Sequence, residues 1–124
     1  MNDYCTQKFD LIHNESYTYY KLYINNKCQF DEFCEEVKRR VSDNESLQAI
    51  YGYMELLGAL PLPESKHRII KDAKQRDIWE FKKNSIRVYV VKTMKEVYIV
   101  MGGYKADQKR DIERVKRRVK QFTR

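Results

Sequence analysis

The sequence predicts a single α+β domain, and three observations support this prediction. Residues 66–109 alternate apolar and polar side chains at the spacing of β-strands. Two stretches before that segment and one after it repeat apolar residues at helical spacing. The chain has 124 residues, which is enough for one modest hydrophobic core. A strand, two helices, a run of strands and a final helix, in that order, are typical of an α+β domain.

The first quarter of the chain predicts a strand followed by a helix. Residues 1–16 carry little signal and form either a tail or a short strand, so the domain proper is assigned to residues 17–124. Residues 17–24 are rich in strand formers and lead into the turn-forming run 25–27. A helix is expected to begin with Asp31 as its N-cap. Its apolar face consists of Phe30, Phe33, Cys34, Val37 and Val41.

A second helix is predicted directly after the first. Ser42 followed three residues later by Glu45 matches a capping box. Gly58 and the two prolines beyond it should end this helix. Its apolar stripe consists of Leu47, Ile50, Tyr51, Met54 and Leu57. We expect both helices to pack on one face of a twisted antiparallel sheet.

A tight turn at residues 84–85 predicts a β-hairpin in which Lys83 pairs with Ile86. Since side chains alternate across a strand, this register divides the hairpin into two faces. The apolar face consists of Trp79, Phe81, Val88 and Val90, and the polar face of Glu80, Lys82, Arg87 and Tyr89. The polar face is either a solvated surface with ordinary cross-strand ion pairs or a functional one.

The charge of the chain is strongly uneven. The net charge is +7, but residues 1–65 hold 6 Lys/Arg and 11 Asp/Glu, whereas residues 66–124 hold 19 and 7. Asp107 can cap a last helix whose narrow apolar seam is Ile112, Val115, Val119 and Phe122, and most of its other residues are Lys or Arg. Such a concentration of cations in one half predicts a polyanionic partner, with nucleic acid the first candidate.

Several kinds of site are disfavoured by the sequence. Three cysteines without CxxC spacing argue against a zinc site and suit a reduced, cytoplasmic protein. We expect no membrane span and no signal peptide. There is no phosphate-binding loop, nucleophile elbow or paired-histidine spacing, and carboxylates are sparse in the basic half. We therefore expect a site without a metal or other cofactor, built from Lys, Arg and Tyr, with or without Glu80.

Such a site can cleave RNA. The ribose 2′-OH attacks the adjacent phosphorus and expels the 5′-oxygen, which requires a base, an acid and cations at the phosphoryl oxygens. Neighbouring cations lower the pKa of a lysine, so that it can accept a proton near neutrality. Arginine remains charged and matches a phosphate with its planar fork, and a tyrosine can stack on a base.

Four motifs, in their order along the chain, resemble the RelE/ParE superfamily of toxins from type II toxin–antitoxin pairs, and most closely its HigB-like branch. They are Ile69-Ile70-Lys71-Asp72, Ile78-Trp79-Glu80-Phe81, Ile86-Arg87-Val88-Tyr89 and Gly102-Gly103-Tyr104-Lys105. The resemblance implies a RelE-like fold and a ribosome-dependent, metal-independent endoribonuclease that cuts mRNA and inhibits translation. It also implies silencing by a cognate antitoxin, expected to carry a helix-turn-helix domain.

The resemblance assigns roles to individual residues. Arg87 is the central strand arginine expected to hold the scissile phosphate, and Glu80 is expected to be its structural partner. The candidate catalytic residues are Arg87, Lys71, Lys74, Arg76, Tyr104 and Lys105. The candidate RNA-binding residues are Arg68, Lys82, Tyr89, Lys109, Arg114, Arg117 and Arg118. The superfamily also contains gyrase poisons, so a non-enzymatic or decayed nucleic-acid-binding protein is the alternative.

Overall fold

A mixed six-stranded sheet with helices on both faces forms the fold in the computed structural model, which describes residues 2–70 and 78–122 except for the side chain of Phe122. The predicted α+β class is confirmed. The strands are β1 (Tyr4–Lys8), β2 (Thr18–Ile24), β3 (His67–Ile69), β4 (Ile78–Lys83), β5 (Ile86–Lys92) and β6 (Glu96–Tyr104). The helices are α1 (Gln29–Val37), α2 (Val41–Leu56) and α3 (Gln108–Phe122), with a 3₁₀ turn at Lys105–Asp107.

The sheet has the strand order β1-β2-β6-β5-β4-β3. The prediction of an entirely antiparallel sheet is wrong for one strand pair. Strands β2 and β6 are parallel neighbours, whereas the other pairs are antiparallel. The two helices after β2 carry the chain across the sheet, and the later strands fold back until β6 lies beside β2. Strand direction does not affect side-chain alternation, so the sequence pattern did not reveal this parallel pair.

The predicted hairpin register is confirmed. Lys83 pairs with Ile86, and the turn between them contains Asn84 at a φ of 52°. The predicted turn at residues 25–27 is also present, with Asn25 and Asn26 both at positive φ, which asparagine tolerates better than most residues. Of the two possibilities for the N-terminal residues, the structure has the short strand, β1.

The predicted starts of both N-terminal helices are wrong. Helix α1 begins after Cys28, and Asp31 instead accepts a hydrogen bond from the Lys21 Nζ at 2.8 Å. Helix α2 begins after Arg40, and no side chain caps it, so the capping box at residues 42–45 does not form. Asp43, which lies within the expected capping box, instead accepts a hydrogen bond from the Ser85 hydroxyl at 3.1 Å. Tertiary partners thus recruit side chains that a local pattern assigned to capping.

Helices α1 and α2 pack on one face of the sheet, as predicted. Gln29, in the first turn of α1, binds β6 through two hydrogen bonds of 2.8 Å, one to the carbonyl and one from the amide of Gly102. The ring of Phe33 lies directly on Gly102, where a β-carbon would overlap it. The helix face of this core contains Phe30, Phe33, Val37, Leu47, Ile50 and Met54, and the sheet contributes Tyr19, Phe81, Ile86, Val88, Val90, Val97 and Ile99.

Helix α3 covers part of the opposite face of the sheet. Val115 and Val119 of the predicted seam are buried, Ile112 is half-buried, and the side chain of Phe122 lies outside the described residues. The sheet side of this second core contains Leu22, Ile78, Tyr89, Val91, Val100 and Met101. A β-bulge opposite Tyr89 and Val90 turns two consecutive residues of β6, Val100 and Met101, toward α3. Within the described part of the chain, no helix is long and apolar enough to cross a membrane.

The contact between Phe33 and Gly102 predicts opposite effects for two glycine substitutions. Gly102→Ala should lower the free energy of unfolding by about 1–3 kcal/mol, because the ring of Phe33 must move from a closely packed site. Gly52→Ala should raise it by about 0.5–1 kcal/mol, because Gly52 lies in helix α2 with no atom near its missing β-carbon. Urea unfolding measures both changes. An unaltered stability of the Gly102→Ala variant would contradict the tight packing of α1 on β6.

Candidate nucleic-acid interface

A buried carboxylate, Glu80, lies at the centre of the sheet face that α3 covers. Its side chain has no exposed surface, and three groups from other elements reach it. The Arg68 Nε of β3 donates to Oε2 at 2.6 Å, and the Gln108 Nε2 of α3 donates to Oε1 at 2.5 Å. The Arg87 Nε of β5 lies 3.5 Å from Oε1. A carboxylate in this position requires such partners, because burial without them is costly.

Arg87, the candidate phosphate ligand, is bound to the protein itself. Its side chain is only 8% exposed, and its Nη1 donates to the carbonyl oxygens of Asn84 at 2.7 Å and Ile86 at 2.9 Å. The contact with Glu80 joins β5 to β4 diagonally across the hairpin, in agreement with the expected structural pairing. The guanidinium therefore braces the hairpin through Nη1, while its buried Nε makes no hydrogen bond to any described residue.

Two further cations of the predicted set lie on the same face and retain access to solvent. Arg68 pairs with Glu80 across β3 and β4, and its side chain is 31% exposed. Lys82 pairs with Arg87 across β4 and β5 and is half-buried. The structure thus places Arg68, Lys82 and Arg87 on one face, with the two arginines at the carboxylate of Glu80. The two arginines and Glu80 leave an excess of positive charge at this site.

Tyr89, a predicted RNA-binding residue, is a core residue in the structure and cannot stack on a base there. It is fully buried between its register neighbours Glu80 and Met101, and its hydroxyl has no hydrogen-bond partner among the residues that the structure describes. Burial raises the pKa of this hydroxyl, and the negative charges of Glu80 and Asp111 raise it further. The alternation of the strand placed Tyr89 on the correct face, but α3 converts that position from surface to core.

The first turn of α3 covers the polar cluster around Glu80. Asp111 is buried against Gly103, where a β-carbon would overlap its carboxylate. Burial raises the pKa of Asp111, while the adjacent Arg110, 3.6 Å away, lowers it in part. Sequence reasoning missed Gln108 and Asp111 as site residues. A signal was present, because both lie at helical spacing from Val115, on the side of α3 that faces the sheet.

Of the remaining candidate catalytic residues, the two that the structure describes do not join Arg87. Tyr104 lies on the other face of the sheet, where its hydroxyl donates to Glu36 at 3.1 Å and its ring contacts Phe33 edge-on at 5.2 Å. Lys105 is exposed at the end of β6, and its backbone amide donates to Ser85 at 2.7 Å. The candidates Lys71, Lys74 and Arg76 lie outside the described residues.

The outward side of α3 is a dense basic surface, here called the α3 basic surface. The helix contains seven Lys or Arg and two acidic residues, of which Asp111 is buried. The predicted RNA-binding residues Lys109, Arg114 and Arg117 are exposed, and Arg118 is half-buried. Burial lowers the pKa of Arg118, as does repulsion from Arg114, but an arginine remains charged at neutral pH. These four predicted contacts thus belong to one helix.

No protein-family model, curated protein sequence or solved structure matches this chain. Among residues 2–70 and 78–122 there is no group of histidine, cysteine and acidic side chains arranged to hold a metal ion.

His67, the histidine of the basic half, is part of the hydrophobic core. Its ring stacks on Trp79 at 4.5 Å, with an angle of 9° between the planes, and contacts Phe81 at 4.5 Å. Within the described part of the chain, its Nε2 has no hydrogen-bond partner. Burial, and then the charge of Lys92, lowers the pKa of His67 from 6.5 to about 3. The ring is therefore neutral at physiological pH and acts in packing.

The low pKa of His67 predicts a loss of stability in mild acid. The unfolded chain binds this proton more tightly than the folded protein, so the contribution is complete above pH 6.5 and is lost as the pH falls toward 3. Between pH 7.5 and pH 5 we expect a loss of about 2 kcal/mol from this group alone. Urea unfolding of the wild-type protein and of His67→Gln at both pH values isolates the contribution of His67 to the free energy of unfolding. Equal pH dependence in the two proteins would contradict the assignment.

Proposed function

We propose that this protein is a toxin of the RelE/ParE type, a metal-independent endoribonuclease that cuts mRNA on the ribosome and is silenced by a cognate antitoxin with a helix-turn-helix domain. The proposal unites the order of the sequence motifs with one structural observation, the α3 basic surface. A RelE-like fold and a cytoplasmic location are parts of the same proposal.

The charge on α3 supports an RNA partner because little of it is neutralised locally. Lys109, Arg114 and Arg117 make no ion pair with any described residue. Arg110 lies 3.5 Å from Asp107, and Lys116 lies 3.8 Å from Glu113, both in exposed pairs that stabilise weakly. Unpaired cations on one helix repel each other, and a phosphate backbone removes this repulsion while it releases its own counterions.

The polar cluster below α3 supplies the charge that phosphodiester cleavage requires. Arg87, Lys82 and Arg68 share one face, and a phosphate at their exposed edge would receive donors from up to three strands. The negative charge that develops on the phosphoryl oxygens is best stabilised by donors already held in place. Glu80 holds two of these cations in the absence of RNA. In this proposal Arg87 gives up part of its internal contacts when the scissile phosphate binds.

The proposed activity predicts cuts in translated RNA. Induced expression should arrest growth and create new RNA 5′ ends within translated codons, which sequencing of 5′ ends detects. A variant with Arg114→Ala and Arg117→Ala should produce far fewer cuts at equal protein levels, because it lacks two exposed phosphate contacts. The matched control is Lys38→Ala with Arg39→Ala, which removes two exposed cations near α1, on the other face. Growth arrest with intact mRNA would refute the ribonuclease proposal.

A second candidate function is inhibition without catalysis, as a gyrase-inhibiting or purely nucleic-acid-binding member of the same superfamily. Two observations favour it: Arg87 is nearly buried, with its Nη1 committed to two carbonyl groups, and Tyr104 lies on the opposite face. In this reading α3 binds the nucleic acid and the polar cluster below it is structural.

Arg87→Lys distinguishes the two candidates. Lysine keeps the charge but loses the planar fork, so a ribonuclease should lose about 100–1000-fold in cleavage rate. The variant is assayed for toxicity at a temperature where circular dichroism shows it folded. A folded, non-toxic variant supports catalysis, and a folded, fully toxic one supports the non-enzymatic candidate. Removing only one partner of a buried ion pair destabilises a protein by about 3–5 kcal/mol. A double variant, Glu80→Gln with Arg87→Met, removes both charges and avoids an unpaired one. Its toxicity is the second measurement.

A further inference from the structure

A pair of stacked tyrosines lies on the α3 side of the sheet, outside the polar cluster. Tyr20 of β2 and Tyr98 of β6 are register neighbours in the parallel strand pair. Their ring centroids are 5.2 Å apart, and the ring planes are inclined by only 20°. Both side chains are half-buried. Tyr98 packs partly against the second core, whereas Tyr20 belongs to neither core and forms the outer ring of the stack.

Helix α3 passes close to this tyrosine pair. The helix is fixed to Glu80 at its first residue and to the hydroxyl of Tyr4 in β1 through Gln121, so it crosses the sheet. Val115 and Val119 share a core cluster with Leu22, which is two residues beyond Tyr20 on the same face of β2. Two residues of a strand span about 7 Å. The tyrosine pair therefore lies at the flank of α3, within reach of a ligand bound by its cations.

Positive charge also borders the pair on its other side. Lys8 of β1 is the register neighbour of Tyr20, and its side chain therefore points to the same face. It is 65% exposed, and its ammonium lies 3.6 Å from a carboxylate oxygen of Asp10 in a loose surface pair. An aromatic surface thus lies between Lys8 and the basic helix.

We propose that Tyr20 and Tyr98 form a stacking platform for an unpaired base of single-stranded RNA whose phosphates lie along α3. The inference rests on the proposed function, since it places part of the RNA that the toxin engages. Stacked aromatic rings beside a row of cations are the means by which proteins bind single strands with little sequence preference. The base stacks on the ring of Tyr20 and becomes the third member of the stack. A duplex cannot do this, because its bases are already stacked on each other.

The test separates base contacts from phosphate contacts. A fluorescent single-stranded RNA and the same strand with abasic residues are titrated with the protein, and affinity is read from anisotropy. The wild-type protein should bind the strand with bases more tightly. Tyr20→Leu should lower its affinity for that strand about tenfold and leave the affinity for the abasic strand unchanged. Tyr20→Phe should retain wild-type affinity, and Tyr20→Trp should equal or exceed it, because both keep a ring.

The matched control is Tyr53→Leu. Tyr53 is also half-buried and also has a lysine near its ring, with the Lys66 ammonium 5.1 Å from the centroid, but it lies on α2 across the sheet. Tyr53→Leu should leave the affinity for both RNA strands, with and without bases, unchanged. Unfolding midpoints verify that each variant is folded, and a gain of affinity in Tyr20→Trp does not depend on any loss of stability.

The outcomes for the two proposals are distinct. Equal affinity of the wild-type protein for both strands, or an unchanged preference in Tyr20→Leu, overturns the platform and leaves ribonuclease activity standing. A base preference that depends on Tyr20, together with intact mRNA after induction, supports the platform and overturns the ribonuclease proposal. Absence of binding to either strand overturns the platform, and the RNA 5′ ends mapped after induction still decide the ribonuclease proposal, because that activity is exerted on the ribosome.

Discussion

The arrangement of the second sheet face depends on one buried carboxylate. Glu80 joins three strands and a helix, because Arg68, Arg87 and Gln108 each come from a different element and converge on its two oxygens. A carboxylate without exposed surface is unfavourable unless such donors surround it, so the loss of any one of them is expected to destabilise the cluster. Two of its cations, Arg68 and Arg87, also belong to the proposed phosphate site. The same interaction therefore fixes the position of α3 and limits access to Arg87.

The two faces of the sheet have different physical roles. The face below α1 and α2 is an apolar core in which even a glycine, Gly102, is required by the close approach of Phe33. The face below α3 is apolar toward the C-terminal half of the helix and polar toward its first turn. Because α3 uses a narrow apolar stripe for packing, most of its circumference is free to carry cations. A narrow apolar contact with the sheet is thus enough to hold a helix whose exposed surface is highly charged.

The positions of the candidate residues restrict any mechanism. Arg68, Lys82 and Arg87 share one face, whereas Tyr104 lies on the other and is held by Glu36 and Phe33. Among the described residues, the groups available to a ribonuclease on this sheet therefore lie on the α3 side and at the exposed Lys105 at the end of β6. Base recognition by Tyr20 and Tyr98 would lie on that same side, so one RNA strand could follow α3 past both sites.

The sequence by itself determined the elements, the hairpin register and the division of charge. Alternation and helical periodicity are local properties, so the turn at Asn84, the facing of Glu80 and Arg87, and the basic character of α3 could all be predicted. Only the tertiary structure decided which surfaces are accessible. The parallel pairing of β2 with β6, the burial of Tyr89 and the use of Asp31 and Asp43 as tertiary partners depend on residues far apart in the chain. Such contacts form between elements rather than within them, and no local pattern encodes them.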